Sequence, residues 1–288
     1  MNNKIRIGII GKGFVGTAVA HGFSSQTGFG ASIKIYDIDP SKSINDLEET
    51  VNDSDFIFLS VPTPSKKDGS IDLSILLDAI NSIDKVNSNS SNIILVRSTV
   101  VPGTTRDIQN QFPNLNLVFN PEFLTERSAT FDFINQTRVI LGGSPEHTSL
   151  VSKLYKKRFG EYLPVLETTF ETAELIKYMN NLFFATKVSF LNEMKLLADK
   201  VGVEWNDAVE GFILDGRVGH SHLQVPGPDG KLGFGGSCFP KDIQALINFA
   251  KENGIDMHVL EGAWETNLKV RPEKDWEKLK GRAVSNEE

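Results

Sequence analysis

The single cysteine, Cys238, sits in the run Gly233-Phe234-Gly235-Gly236-Ser237-Cys238-Phe239-Pro240-Lys241-Asp242. A lone cysteine is most often a small buried hydrophobe. Here three glycines just upstream let another molecule approach the backbone closely. Pro240 suits a first helical position, which places the thiol just before a helix N-terminus. That location favours the thiolate. Asp242, in the first turn, is close enough to accept a proton or to position a water. Phe234 and Gly235 flank the same site and are candidate contacts for whatever the thiol attacks.

Two further spacings could do chemistry. Lys177 and Asn181 are four residues apart in a helical stretch and so project from one face. On an otherwise apolar helix they either snorkel at an edge or share a polar site. Glu122 and Glu126 are also four apart, just beyond a candidate strand. They are either exposed helix carboxylates or groups at the carboxyl end of a parallel sheet, where ligands bind.

Gly11-Lys12-Gly13-Phe14-Val15-Gly16 follows an apolar strand and opens a helix. In that context Gly11 permits the tight turn and Gly13 lets a pyrophosphate reach the backbone. Gly16 allows close packing of helix on strand. The second strand ends at Asp37, 21 residues beyond Gly16, where a carboxylate can hold both hydroxyls of an adenosine ribose. The same carboxylate repels a 2′-phosphate, so NAD is expected rather than NADP. A nicotinamide site together with an activated thiol points to oxidation through a covalent thiohemiacetal and thioester.

These groups need a scaffold. The chain has 288 residues and a net charge of −7, so it would repel a nucleic-acid backbone. One cysteine cannot form an intramolecular disulfide, no apolar run is long enough to span a bilayer, and a core strand starts close to Met1. A cytoplasmic enzyme or binding protein is the expectation. Candidate strands are Lys4–Ile10, Ser32–Tyr36, Phe56–Val61, Asn92–Val96, Leu117–Phe119 and Arg138–Leu141. Several are continuously apolar, as strands covered on both faces are. Their alternation with helical segments predicts an α/β, Rossmann-like, doubly wound parallel sheet over residues 1–168.

After residue 167 the pattern turns helical. Thr168 and Glu171 read as a capping box and Gly202 as a stop, which encloses a helix of about 45 Å. Leu175, Met179, Leu182, Phe183, Phe190, Met194 and Leu197 surround it, so it should be buried between domains or subunits. Residues 169–265 then form a small all-α domain carrying the cysteine. Residues 266–288, with 11 charged side chains in the last 20, read as a solvated or disordered tail. His220 and His222 form an H-x-H without accompanying ligands, so no metal is expected.

Taken in order, Gly11–Gly16, Val61-Pro62-Thr63-Pro64, Ser98-Thr99-Val100, Asn120–Glu126, Glu174-Leu175-Ile176-Lys177 with Asn181, Asp215–Gly219 and Gly235–Asp242 resemble the UDP-glucose/GDP-mannose dehydrogenase family. The resemblance implies NAD-dependent oxidation of a sugar C6 hydroxymethyl group to a carboxylate in two steps, without release of the aldehyde. It implies Cys238 as nucleophile, with Lys177 and Asp242 handling the proton and the oxyanion charge and Asn181 assisting. Thr99 and Glu122 would position the hydrolytic water, and Glu126 would lie near the nicotinamide. Asp37 and Lys42 would hold the ribose, with Thr63 a further cofactor contact. Arg217 would reach the sugar from the partner subunit of a dimer built on the long helix. Family members usually continue into a second Rossmann-like domain, and only 46 residues follow Asp242. A short form is therefore expected. The rival expectations are a β-hydroxyacid dehydrogenase, making one NADH per turnover, and a silent NAD-binding partner subunit.

Overall fold

The computed structural model describes residues 4–286. The outermost residues of the expected first domain and of the expected tail, 1–3 and 287–288, lie outside it. The strands are β1 (Arg6–Ile10), β2 (Ser32–Tyr36), β3 (Phe56–Leu59), β4 (Ile93–Val96), β5 (Leu117–Phe119), β6 (Val139–Gly143) and β7 (Val165–Thr168). The helices are α1 (Phe14–Gly22), α2 (Leu47–Asn52), α3 (Ser74–Val86), α4 (Thr104–Gln111), α5 (Ala129–Ile134), α6 (Pro145–Phe159), α7 (Phe170–Val201), α8 (Trp205–Ile213), α9 (Phe239–Glu252) and α10 (His258–Val270).

The chain divides into two compact units. Among the described residues, the first comprises 4–63 and 73–177, and the second 64–72 and 178–286. The first holds one sheet in the order β2-β1-β3-β4-β5-β6-β7. Five of its six pairings are parallel, whereas β5 and β6 run antiparallel. Successive residues of each strand serve opposite faces. Ile7, Ile9, Phe58, Leu95, Val118 and Leu141 pack against α1, α5 and α6. Ile10, Ile57, Leu59, Ile94, Val96 and Leu117 pack against α3, α4 and the start of α7. This two-sided burial explains the continuously apolar strands and makes the sheet doubly wound.

Three local expectations are corrected. The strand β7 lies at the sheet edge with two exposed residues, so it lacks the apolar signature of its neighbours. Thr168 ends that strand. The group that caps α7 is Thr169, whose Oγ1 accepts from the Thr172 amide at 3.3 Å. The charged segment after 265 is ordered: α10 continues to Val270, and Trp276 and Ala283 are buried. Trp276 packs on Trp264 with ring centroids 5.3 Å apart. Ser65 and Ser285 exchange backbone hydrogen bonds with this segment and its partner loop, Ser65 N–H to Ala283 O and Ser285 N–H to Ser65 O. Most of its charges are solvated, but Arg271 and Trp276 turn inward, so composition alone misleads.

The helix α7 has 32 residues and runs through the division of the chain. Tyr178, Leu182, Ala185, Leu191 and Ala198 are buried. Met179, Phe183, Phe190, Met194 and Leu197, spaced by four, seven, four and three, form an exposed apolar stripe. The expectation of all-round burial is thus met on one face only within a single chain.

Candidate active site

In the first unit, the glycine turn is built as its spacing requires. Gly11 has φ +90°, and a Cβ there would lie 2.4 Å from Ser60 O. A Cβ on Gly16 would lie 2.0 Å from Gly11 O, so the helix can sit this close to β1 only without a side chain. Gly13, the N-cap of α1, has no atom within 4 Å of its missing Cβ. That open side exposes the helix N-terminus to a phosphate. Phe14 and Val15 follow as the first helical residues.

Asp37 lies directly after β2. Its Oδ2 accepts from Lys12 N–H at 2.6 Å and its Oδ1 from Asp39 N–H at 2.9 Å. The carboxylate is thereby aimed from the end of β2 toward the glycine turn. Lys42 is exposed, with its Nζ 3.4 Å from Asp39. Thr63 is buried and its hydroxyl donates to Thr99 O at 2.7 Å, joining the loops that follow β3 and β4. Phe14 and Glu126 border one shallow cleft of about 390 Å³ together with Thr17, Arg127 and Phe131. The open Gly13, the anchored Asp37 and this cleft fit a dinucleotide.

Replacing Gly13 separates binding from folding. Gly13→Ala adds a methyl where the protein has free space, at ordinary backbone angles. The melting temperature is expected to stay within about 2 °C. NAD affinity, measured by titration calorimetry, is expected to fall about tenfold or more, because the methyl occupies the approach of the phosphate.

Glu122 and Lys177 form a buried pair in the same unit. Lys177 Nζ lies 2.9 Å from Glu122 Oε1, bonds the Glu122 carbonyl as well, and stands 5.5 Å from the Phe123 ring centre. The other carboxylate oxygen accepts from Leu124 N–H at 2.7 Å. Burial pushes the Glu122 carboxyl up, but the Lys177 ammonium, the Leu124 amide and Arg97 together hold it below its usual range. Lys177 is thus no snorkelling residue. The helix segment carrying it is docked by Glu174, a fully buried carboxylate that accepts from the Gly103 and Thr105 amides at 2.6 and 2.8 Å, at the N-terminus of α4. Glu126 is exposed on a short 3-10 turn, so the two glutamates four apart have different surroundings.

In the second unit, Cys238 is the half-buried N-cap of α9, with its Sγ 3.8 Å from Ser237 Oγ. Pro240 and Asp242 fall in the first turn. Asp242 is fully buried; its Oδ2 accepts from Asn181 Nδ2 at 2.7 Å and its Oδ1 from Lys241 Nζ at 2.5 Å. One helical turn beyond Lys177, α7 thus delivers Asn181 to the base of the thiol-bearing helix. Arg217 is exposed and pairs with Asp215 two residues away. Its loop is held by Lys187, which donates to the carbonyls of Val218, Gly219 and Ser221. His222 stacks on Phe184 at 4.3 Å.

Sequence reasoning missed the groups that hold the thiol loop. Asn267, fully buried, accepts from Phe234 N–H at 2.7 Å and donates to Phe234 O at 3.0 Å, and Asn192 accepts from Gly233 N–H. Arg271, 2% exposed, bridges Asp229 and Asp275 and lies flat beneath Gly235. A Cβ on Gly235 would come 2.5 Å from its guanidinium. Gly235 therefore serves the packing of Arg271. Lys241, within the quoted motif, supplies the buried positive charge beside Asp242.

Two regions of the chain match models of a single family. Residues 41–159 match the NAD binding domain and residues 171–269 the central domain of the UDP-glucose/GDP-mannose dehydrogenase family. The chain is 30% identical to the UDP-glucose 6-dehydrogenase AglM of Haloferax volcanii, over 91% of this chain and 69% of that protein. It belongs to the UDP-glucose/GDP-mannose dehydrogenase family. The UDP-glucose 6-dehydrogenase of Rickettsia prowazekii is 40% identical over 76% of this chain and 50% of its own length. The chain thus spans about half the length of the Rickettsia proteins it matches. A UDP-glucose dehydrogenase from Pyrobaculum islandicum superposes with a TM-score of 0.79 at 29% identity, covering 93% of this chain and 68% of that one. Among the described residues, no helix is long and apolar enough to cross a membrane.

Proposed function

We propose that the chain is an NAD-dependent nucleotide-sugar 6-dehydrogenase that oxidises a C6 hydroxymethyl group to a carboxylate, with UDP-glucose to UDP-glucuronate as the favoured conversion. The observation that carries the reading is Cys238 at the N-terminus of α9, in a glycine loop braced by Asn267 and Arg271. A single-hydride dehydrogenase has no use for a thiol so presented. The relatives named UDP-glucose 6-dehydrogenase support the choice of sugar.

Gly11, Gly13, Gly16, Asp37 and Thr63 would hold NAD, with Lys42 and Glu126 at its periphery; when bound it supplies the hydride acceptor. In the first oxidation C6 gives up a hydride and its hydroxyl gives up a proton, received through Lys177. The Cys238 sulfur then bonds to the aldehyde carbon, and the carbonyl oxygen takes up a proton to give a thiohemiacetal. A second loss of hydride and proton leaves a thioester. Water, positioned by Thr99 and Glu122, adds to the thioester carbon and the C–S bond breaks, returning the thiol and releasing the acid. The balance is one water consumed, two hydrides removed and three protons released. Lys177, with Asn181 assisting, would stabilise oxyanion charge in these steps, and Asp242 would share the handling of the proton. Phe234 and Gly235 line the sugar, and Arg217 of a partner subunit completes its site. The exposed stripe of α7 is the proposed seat of that second copy.

NADH formation followed at 340 nm with UDP-glucose, GDP-mannose and UDP-N-acetylhexoses tests this reading. Turnover with UDP-glucose is expected to exceed the others. Tight NAD binding without turnover on any of them would favour a silent partner subunit.

A further inference from the structure

Arg97 is buried, 5% exposed, and lies outside the machinery assigned above. It directly follows β4, at the carboxyl ends of the parallel strands, where its amide donates to Leu59 O of β3. Its Nη1 donates to Asn120 Oδ1 at 2.6 Å and to the Tyr155 hydroxyl at 3.2 Å. Both partners are neutral. The guanidinium lies 5.9 Å from the ring centres of Phe58 and Phe133, and its buried Nε has no hydrogen-bond partner. A buried cation without a carboxylate in contact is a stability liability. Its position suggests what offsets that cost. Asn120 also donates to Ile140 O at 3.0 Å, and its amide donates to Val96 O at 2.8 Å. Asn120 is thus fastened to β4, β6 and Arg97, and Glu122 is two residues further on.

We propose that Arg97 is a positioning residue for Glu122: it fixes the Asn120-Pro121-Glu122 turn and, alongside Lys177, supplies positive charge to the Glu122 carboxylate. The proposal rests on the reading that Glu122 serves thioester hydrolysis. The charged and titratable groups around the pair are Lys177 from α7, Arg97 from the end of β4, Tyr155 from α6 and Arg138, whose guanidinium lies 4.4 Å from the centre of the Phe123 ring beside Glu122. Burial drives Glu122 toward its protonated form, and Lys177 and then Arg97 act against it. Removing Arg97 strands no carboxylate in direct contact with it. Asn120 Oδ1 keeps the Tyr155 hydroxyl at 2.6 Å, and the partnerless Nε disappears.

The test uses Arg97→Met, Arg97→Lys and Tyr155→Phe in the full chain. Arg97→Met is expected to melt within about 2 °C of the parent, or higher. Its kcat at neutral pH is expected to fall about tenfold, with the acid limb of the pH profile moved up by about half a unit or more. Arg97→Lys, which keeps a charge, is expected to return the acid limb most of the way; Tyr155→Phe, which leaves the charge, should not move it. The Glu122 carboxyl, followed by carbon-13 NMR, should titrate higher in Arg97→Met; this readout needs no substrate. If the parent turns over no nucleotide sugar, the functional reading fails while the titration still decides the role of Arg97. A folded Arg97→Met with unmoved acid limb and unmoved Glu122 titration would overturn the proposal. So would loss of activity at every pH in proportion to loss of folded protein, in either Arg97 variant.

Discussion

Cys238→Ala is expected to abolish formation of the acid, with turnover falling on the order of a thousandfold or more. No other thiol exists in the chain to replace it. The substitution is small and the residue is an N-cap whose side chain makes no capping bond, so the fold should be little affected. NAD affinity should be unchanged, since the residues assigned to the cofactor lie in the first unit. Calorimetry for NAD and mass analysis of the products separate these quantities. Cys238→Ser is the sharper companion. An oxygen ester in place of a thioester hydrolyses more slowly, so the peptide bearing the substituted hydroxyl would accumulate a mass increment. Acid formation at the parent rate in either variant would exclude the covalent route.

The second large effect concerns the buried pair of Glu122 and Lys177. Lys177→Met leaves the Glu122 carboxylate buried without its ammonium. Breaking such a pair costs about 3–5 kcal/mol of stability, and kcat should fall about a hundredfold or more. The pH dependence has a definite sign. Glu122 is held below its usual range in the folded chain. Its contribution is therefore present above the unfolded carboxyl's range and is lost as pH falls through the folded value. In Lys177→Met the upward push of burial dominates, so that acid-side dependence should vanish and Glu122 should fold protonated. Adding Glu122→Gln should recover much of the stability and none of the activity. Urea unfolding of the two single variants and the double variant closes the cycle. Additive losses would show that the two side chains are not coupled.

How much of this could be read from residues alone follows from range. The glycine turn, Asp37 and the thiol loop are local devices, with each residue type tied to a backbone requirement a few positions away. Gly11 makes the turn and Gly16 the close packing that their spacing suggested. Strands buried on both faces announce themselves by apolar runs, whereas β7 at the edge does not. Thr168 and Thr169 are interchangeable on paper, and only the chain direction leaving β7 decides between them. The supports of the site are long-range. Arg271 is buried because Asp229 approaches from another segment, and Arg97 because Asn120 and Tyr155 meet it from β5 and α6. Nothing near either arginine in sequence marks it as an interior residue. The exposed stripe on α7 reads from the sequence as burial, since apolar patterning does not say whether the covering surface belongs to the same chain.

The central claim is a four-electron oxidation through Cys238, and the ratio of NADH formed to sugar consumed tests it most directly. UDP-glucose, limiting and run to completion with excess NAD, is expected to yield two equivalents of NADH and one of the acid, with no free aldehyde. One equivalent of NADH, with a carbonyl product released, would contradict the account and place the chemistry in single hydride transfer.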